Sequence, residues 1–206
     1  MRIRKKRNVN EKLQDFSDIV ISAEEDWRNK CTDKKIYVEL GTGKGDFISQ
    51  IAALNPDIFF IGLEVEATVV YAAARKIREK NLTNVRLMVF DINNIDTLFD
   101  ENEIDRLFIN FCDPWPKKRH AKRRLTHIRF LDKYRKILKP NGEIQFKTDN
   151  RGLFDFSLEQ FELAGAKVNE VNYDLHANNI PDNIETEYER KFSGLGFPIC
   201  RCVVKF

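Results

Sequence analysis

The sequence predicts an α/β protein, a mostly parallel sheet with helices on both faces, and three observations carry that prediction. Short apolar runs alternate with helical periods from residue 34 to about residue 165. A glycine-rich turn, Gly41-Thr42-Gly43-Lys44-Gly45, joins the first apolar run to the first helical period. Five successive runs carry an acid at or near their carboxyl ends: Glu39, Glu64, Asp91, Asp113 and Asp149. With 206 residues, 42% hydrophobic and 33% charged, one domain is expected, burying about 70% of its unfolded surface. It divides into an arm and lead-in (1–33), a core (34–165) and a carboxyl-terminal part (166–206).

Taken in order, the lead-in is irregular or helical, anchored by Phe16, Ile19, Val20 and Trp27. Ile36 to Leu40 is the first strand, and Asp46 to Leu54 follows the turn with helical spacing through Phe47, Ile51 and Leu54. Phe59 to Leu63 is the second strand. A helix over Val65 to Lys80 puts Val69, Val70, Ala73 and Ile77 on one face, and Asn81 ends it. Val85 to Phe90 and Leu107 to Phe111 are the third and fourth strands. Thr126 is expected to cap a helix running to Leu138, with Phe130, Leu131, Tyr134, Ile137 and Leu138 inward, and Lys139-Pro140-Asn141-Gly142 to stop it. Glu143 to Thr148 is the fifth strand, and Leu153 to Ala164 the next helix. Ala166 to Tyr173 and Ile199 to Phe206 complete seven strands. Between them lies a long polar insertion containing Pro181 and Glu185-Thr186-Glu187-Tyr188-Glu189-Arg190-Lys191-Phe192, of a length that marks either a functional or a disordered segment.

The glycine turn departs from G-x-G-x-x-G at its sixth position, Asp46, and no Gly-Lys-Ser/Thr occurs. What distinguishes it is the acids. Helix capping explains some of them singly but does not predict all five. Glu64 stands 21 residues beyond Gly43, an offset at which a carboxylate accepts from ribose hydroxyls. A negative pocket is poor for a pyrophosphate and good for an ammonium and a sulfonium, so the cofactor this reading selects is S-adenosyl-L-methionine.

The second constellation is Phe111 to Arg124. Asp113 stands at a strand end, and Pro114 and Pro116 bias Asp113 and Trp115 toward extended backbone. Trp115 offers a ring on which a base can stack, or a packing plug; Asp113 can accept from base N–H groups. The cations that follow attract phosphates. Residues 117–136 hold ten Lys or Arg against one acid, and residues 1–7 hold five and none, so the net charge of +3 hides a segregated basicity that fits one polyanion-binding face.

Other classes are set aside. No apolar run is long enough to span a membrane. The basic start lacks the apolar stretch of a secretion signal. Cys31, Cys112, Cys200 and Cys202 fit no zinc spacing, and His120, His127 and His176 form no ligand cluster, so no metal is expected. Reduced thiols and a cytoplasmic location are expected.

Four motifs together, Val38-Glu39-Leu40-Gly41-Thr42-Gly43-Lys44-Gly45, Phe111-Cys112-Asp113-Pro114-Trp115-Pro116-Lys117-Lys118-Arg119-His120, Lys147-Thr148-Asp149 and Thr186 to Phe192, make the chain resemble the bacterial tRNA (guanine-N7-)-methyltransferases over nearly its full length. The resemblance implies a Rossmann-like methyltransferase fold, a mostly parallel seven-stranded sheet with an antiparallel last strand. It implies methyl transfer from S-adenosyl-L-methionine to N7 of a guanine in the variable loop of tRNA (position 46 of the tRNA). Carried over by position, Glu39, Gly41, Gly43, Glu64, Asp91 and Asp113 are cofactor residues, and Asp113 is also the catalytic acid. Lys117, Asp149, Thr186, Glu187, Tyr188 and Glu189 are substrate residues, and Arg119, His120, Ala121, Lys122, Arg123 and Arg124 touch RNA. The partner is tRNA, with no membrane and no obligatory protein subunit, the chain acting as monomer or homodimer. From the residues alone three rivals stay open: an exocyclic-amine methylase, a nicotinamide-dependent oxidoreductase and a non-catalytic RNA-binding protein. Trp115 in place of a second proline, and the imperfect glycine spacing, argue against the first two.

Overall fold

The computed structural model describes residues 8–178 and 183–206. The basic residues 1–7 and Pro181 lie outside the described residues. Two compact units, Met1–Ile92 and Asn93–Phe206, are taken in turn.

The first unit holds α1 (Val9–Gln14), a 3-10 turn at Arg28–Lys30, β1 (Lys35–Leu40), α2 (Asp46–Leu54), β2 (Ile58–Glu64), α3 (Ala67–Glu79) and β3 (Val85–Val89). β1 pairs with β2, and β2 with β3, all parallel. β2 is a near-continuous apolar run because both its faces are covered; Phe59 through Leu63 are all buried. α3 buries Val69, Val70, Ala73, Ala74 and Ile77, the expected face and one residue more. α2 has the expected bounds and buries Phe47 and Ile51, whereas Leu54 at its last turn is exposed. Helix α2 can begin only because Gly45, at φ 74°, lies against α3: a Cβ there would stand 2.8 Å from that of Ala73.

The lead-in is bound to this unit. Phe16, Ile19 and Trp27 are buried as expected, but Ile21 takes the buried place expected for Val20. The backbone explains the exchange. Ile19 and Ile21 bond on either side of Leu87, the N–H of Leu87 donating to Ile19 and that of Ile21 to Leu87, so Val20 pairs with β3 while its neighbours point inward.

The second unit holds β4 (Ile104–Asn110), a 3-10 helix at Lys118–Arg123, α4 (Ile128–Ile137), β5 (Leu138–Thr148), α5 (Arg151–Leu163), β6 (Lys167–Asn172), α6 (Glu187–Ser193) and β7 (Cys200–Lys205). β4 and β5 are parallel, and β7 runs antiparallel to both β5 and β6. The strand order is β3-β2-β1-β4-β5-β7-β6, a seven-stranded mixed sheet whose last strand is the reversed one, as expected.

Two boundaries differ from expectation. α4 begins at Ile128 with His127 as its cap, the imidazole Nδ1 accepting from the N–H of Arg129 at 3.2 Å. Thr126 is instead buried, its hydroxyl 2.7 Å from that of Ser157 on α5, so it ties two helices together rather than capping one. The Lys139 to Gly142 segment is not a connecting stop either. β5 starts at Leu138, directly after α4, and Leu138 pairs with Ile104 before an irregularity brings Glu143 opposite Arg106.

Candidate active site

The residues expected to meet the cofactor are, apart from Asp113, on the first unit. Between β1 and α2 the chain turns through Gly41 (φ 77°) and Gly43 (φ 55°), and a Cβ at either position would meet nothing within 4 Å. The turn is therefore an open cradle of bare backbone. Glu39 is buried beneath it and accepts the Thr42 hydroxyl at 2.6 Å, which fixes the turn's base. Glu64, half-buried at the end of β2, accepts from the N–H groups of Gly43 (3.2 Å), Val65 (2.9 Å) and Glu66 (3.1 Å). Asp91 is exposed just past β3. Glu39 and Glu64 beside bare glycine backbone, with a further exposed acid just past β3, suit a cationic ligand that also carries hydroxyls, so the donor set fits S-adenosyl-L-methionine.

The segment that carries Asp113 belongs to the second unit. Phe111 leaves β4 at φ 50° and Trp115 sits at φ 42°, both in the left-handed region that bulky residues avoid, at about 1–3 kcal/mol each. The extended backbone expected of Trp115 ahead of Pro116 is thus not what forms. Arg124 explains how the turn is held: its Nε donates to the Pro114 carbonyl at 2.9 Å and an Nη to that of Trp115 at 3.1 Å, while its guanidinium lies 4.2 Å from the Phe156 ring centre. Asp113, between the two strained residues, is exposed. Burial, reinforced by the Asp113 charge, pushes the Cys112 thiol up to about 12, so it stays protonated and is no nucleophile.

Trp115 is engaged within the chain. Arg123 stands 4.8 Å over its ring and His120 meets it edge-on at 5.7 Å. Of the expected RNA-contacting run, Arg119, Lys122 and Arg123 are exposed, and so is the substrate residue Lys117; His120 and Ala121 are partly covered, and Arg124 is committed to the turn.

The polar insertion contains α6, a helix that its composition did not reveal. Thr186 caps it, accepting from the Glu189 N–H at 2.9 Å, and Glu187 faces solvent in its first turn. Glu189 faces inward and is fully buried. Its carboxylate meets the equally buried Lys147 of β5 at 2.7 Å and accepts from Asn183 at 2.8 Å, with His176 Nε2 at 3.2 Å. Lys147 completes its three donors with Asn183 (3.2 Å) and the Ile184 carbonyl (2.9 Å). Thr186 and Glu189, expected as substrate residues, thus hold the segment together and present Tyr188 outward. The Tyr188 hydroxyl donates to Asp149 at 3.1 Å, and its ring centre lies 5.0 Å from that of Phe111. Burial and the Asp149 charge push the phenol up to about 12, so it remains a donor at neutral pH.

Sequence reasoning gave Lys147 no role of its own, although it stood in the Lys147-Thr148-Asp149 motif and within a strand expected to be buried. Among the described residues no group of His, Cys, Asp or Glu is placed to hold a metal, the four cysteines are free thiols, and no helix is long and apolar enough to cross a membrane.

A family model described as "Putative methyltransferase" matches residues 33–202. A tRNA (guanine-N(7)-)-methyltransferase of Bacillus subtilis (strain 168) is 44% identical over 211 residues, covering 100% of this chain and 99% of that protein. Among solved structures, the 16S rRNA methyltransferase KamB superposes with a TM-score of 0.67 at 11% identity, covering 89% of this chain and 93% of that one. A mutant 16S rRNA (adenine(1408)-N(1))-methyltransferase from Catenulisporales acidiphilia, solved with its cosubstrate S-adenosylmethionine, gives 0.61 at 16% identity, covering 87% and 89%. At such identities these two structures speak to the fold alone.

Proposed function

The chain belongs to the tRNA (guanine-N(7)-)-methyltransferase family, and from that premise we propose how its own residues carry out the reaction on a guanine of the tRNA variable loop. The enzyme methylates tRNA at guanine N7 and uses S-adenosyl-L-methionine, which supplies the methyl group as an electrophile on a sulfonium. N7 has an in-plane lone pair and no proton, so the protein need not remove one. What it must do is hold the base in line and tolerate the positive charge that the new bond leaves on the ring.

The single observation that supports this reading best is the contact of Tyr188 with both Phe111 and Asp149. It sets a ring and a neutral donor beside the carboxyl end of β5 and next to the turn that carries Asp113. Asp149 accepts the Tyr188 hydroxyl with one oxygen, leaving acceptor capacity for a base N–H. Asp113 is exposed and accepts a second base N–H, and its charge favours the cationic product. Glu39 and Thr42 fix the turn whose glycine backbone receives the cofactor, while Glu64 and Asp91 take its hydroxyls and cationic groups. Lys117, Arg119, Lys122 and Arg123 bind phosphates.

The test is methyl transfer from labelled cofactor to unmodified tRNA, followed by digestion to nucleosides. Label in N7-methylguanosine of the variable loop is expected. Label in a different nucleoside would overturn the assignment of Asp113 and Asp149.

A further inference from the structure

Four rings run outward from the acid turn. Phe111 and Tyr188 have centres 5.0 Å apart, Tyr188 stacks on Phe192 at 4.2 Å with planes at 25°, and Phe192 meets Phe197 at 5.8 Å with planes at 69°. Phe111 and Phe192 are partly covered, whereas Tyr188 is 42% exposed, Phe197 50% and the adjoining Leu195 65%. Exposed apolar residues are common singly, but here Tyr188, Leu195 and Phe197 lie together along one line of rings, and such a contiguous patch is what marks a contact surface.

Phe197 is nevertheless held in place. Where α6 ends, the N–H groups of Leu195 (3.1 Å) and Phe197 (3.0 Å) both donate to the Phe192 carbonyl, and that of Gly196 to Ser193 at 2.9 Å. Lys191 is exposed, its ammonium 5.5 Å from the Phe192 ring centre. A fixed, half-open ring with a cation on the ring that supports it offers the two parts from which proteins seat unpaired bases: a ring for a base face and a cation for a phosphate.

We propose that Phe197, supported edge-on by Phe192, whose own ring carries Lys191 beside it, is a stacking seat for an unpaired nucleobase of the tRNA neighbouring the target guanine. Tyr188 lies between that seat and the acid turn, so the two bases are received along one track. The seat selects substrates with a neighbour free to unstack. The inference rests on the tRNA reading above.

The test uses full-length Phe197→Ala, Phe197→Leu and Phe197→Trp proteins with tRNA carrying 2-aminopurine beside the target guanine. Alanine and leucine are expected to raise KM for tRNA about tenfold, within the worth of one base–aromatic stack, and to abolish the fluorescence quenching expected when the wild-type protein binds. Tryptophan is expected to keep both, and calorimetric affinity for the cofactor is expected unchanged in all three. Because leucine preserves the apolar contact with Phe192 without a ring face, an unchanged KM and quench in Phe197→Leu would overturn the seat. So would a shift from dimer to monomer in sedimentation at unchanged KM, which would assign the patch to a second copy of the chain. Wild-type protein that failed to methylate tRNA at all would instead bring down the underlying reading.

Discussion

Arg124 and Lys122 lie two residues apart in one basic run, yet their expected variants separate. Arg124→Ala removes the two hydrogen bonds that hold the Pro114 and Trp115 carbonyls and frees a turn strained at both aromatic positions. Its kcat is expected to fall by about a hundredfold, as for a misplaced reacting group, while the salt dependence of tRNA binding stays as it was. Lys122→Ala is expected to do the reverse, leaving kcat intact and lowering the slope of log K against log salt by about one. Filter binding across a salt series, beside steady-state kinetics, reads both. Asp113→Ala is expected to cost about a hundredfold or more in methyl transfer at saturating tRNA; unchanged turnover would remove the acid from the site. His127 gives a pH effect. Burial, then the charges of Arg129, Lys122 and Arg124, lower its folded value from 6.5. The unfolded chain therefore binds the proton first, and stability present above about pH 6.5 is lost as the pH falls toward the lower folded value. The thermal midpoint between pH 7.5 and 5.5 is expected to show that slope, and His127→Asn, which keeps a cap, to flatten it.

At the scale of elements, what is legible in the sequence is whatever depends on local pattern. The strands fall within a few residues of their apolar runs, and α2 falls on its expected bounds, because a buried parallel strand and a one-faced helix each leave a local period. α6 leaves none. It is seven residues long, and the side chain that secures it is Glu189, whose partner Lys147 is 42 positions away. A charge pair withdrawn from water over that separation has no local signature, so an acid expected to meet substrate and a lysine in a strand become the fastening of the α6 segment. Lys147→Met is expected to cost about 3–5 kcal/mol in denaturant unfolding, since it strands the Glu189 carboxylate. A Lys147→Met, Glu189→Leu double variant is expected to recover a large part of that stability. The Trp115 backbone departs from its expected geometry for a related reason: the preference of a residue before proline is local, and the Arg124 clamp that overrides it is nine residues away.

For the molecule as a whole, the sequence's segregated charge and the fold carry different parts of the function. The strands, helices and glycine turn follow from local pattern, whereas the proposed contacts to RNA rest on the exposed cations of residues 117–123 and on the α6 segment. Raising salt is accordingly expected to weaken tRNA binding steeply and to leave cofactor affinity nearly constant, as calorimetry with each ligand would report. The position of β7 has a consequence for how the molecule is made. It lies between β5 and β6 and pairs with both, yet it is the last of the three to leave the ribosome. Until residues 200–205 have emerged, β6 has no neighbour to pair with and β5 presents a bare edge. The nascent second unit is therefore exposed to strand-swapped misassembly and to chaperone capture for as long as that single strand is still being synthesised.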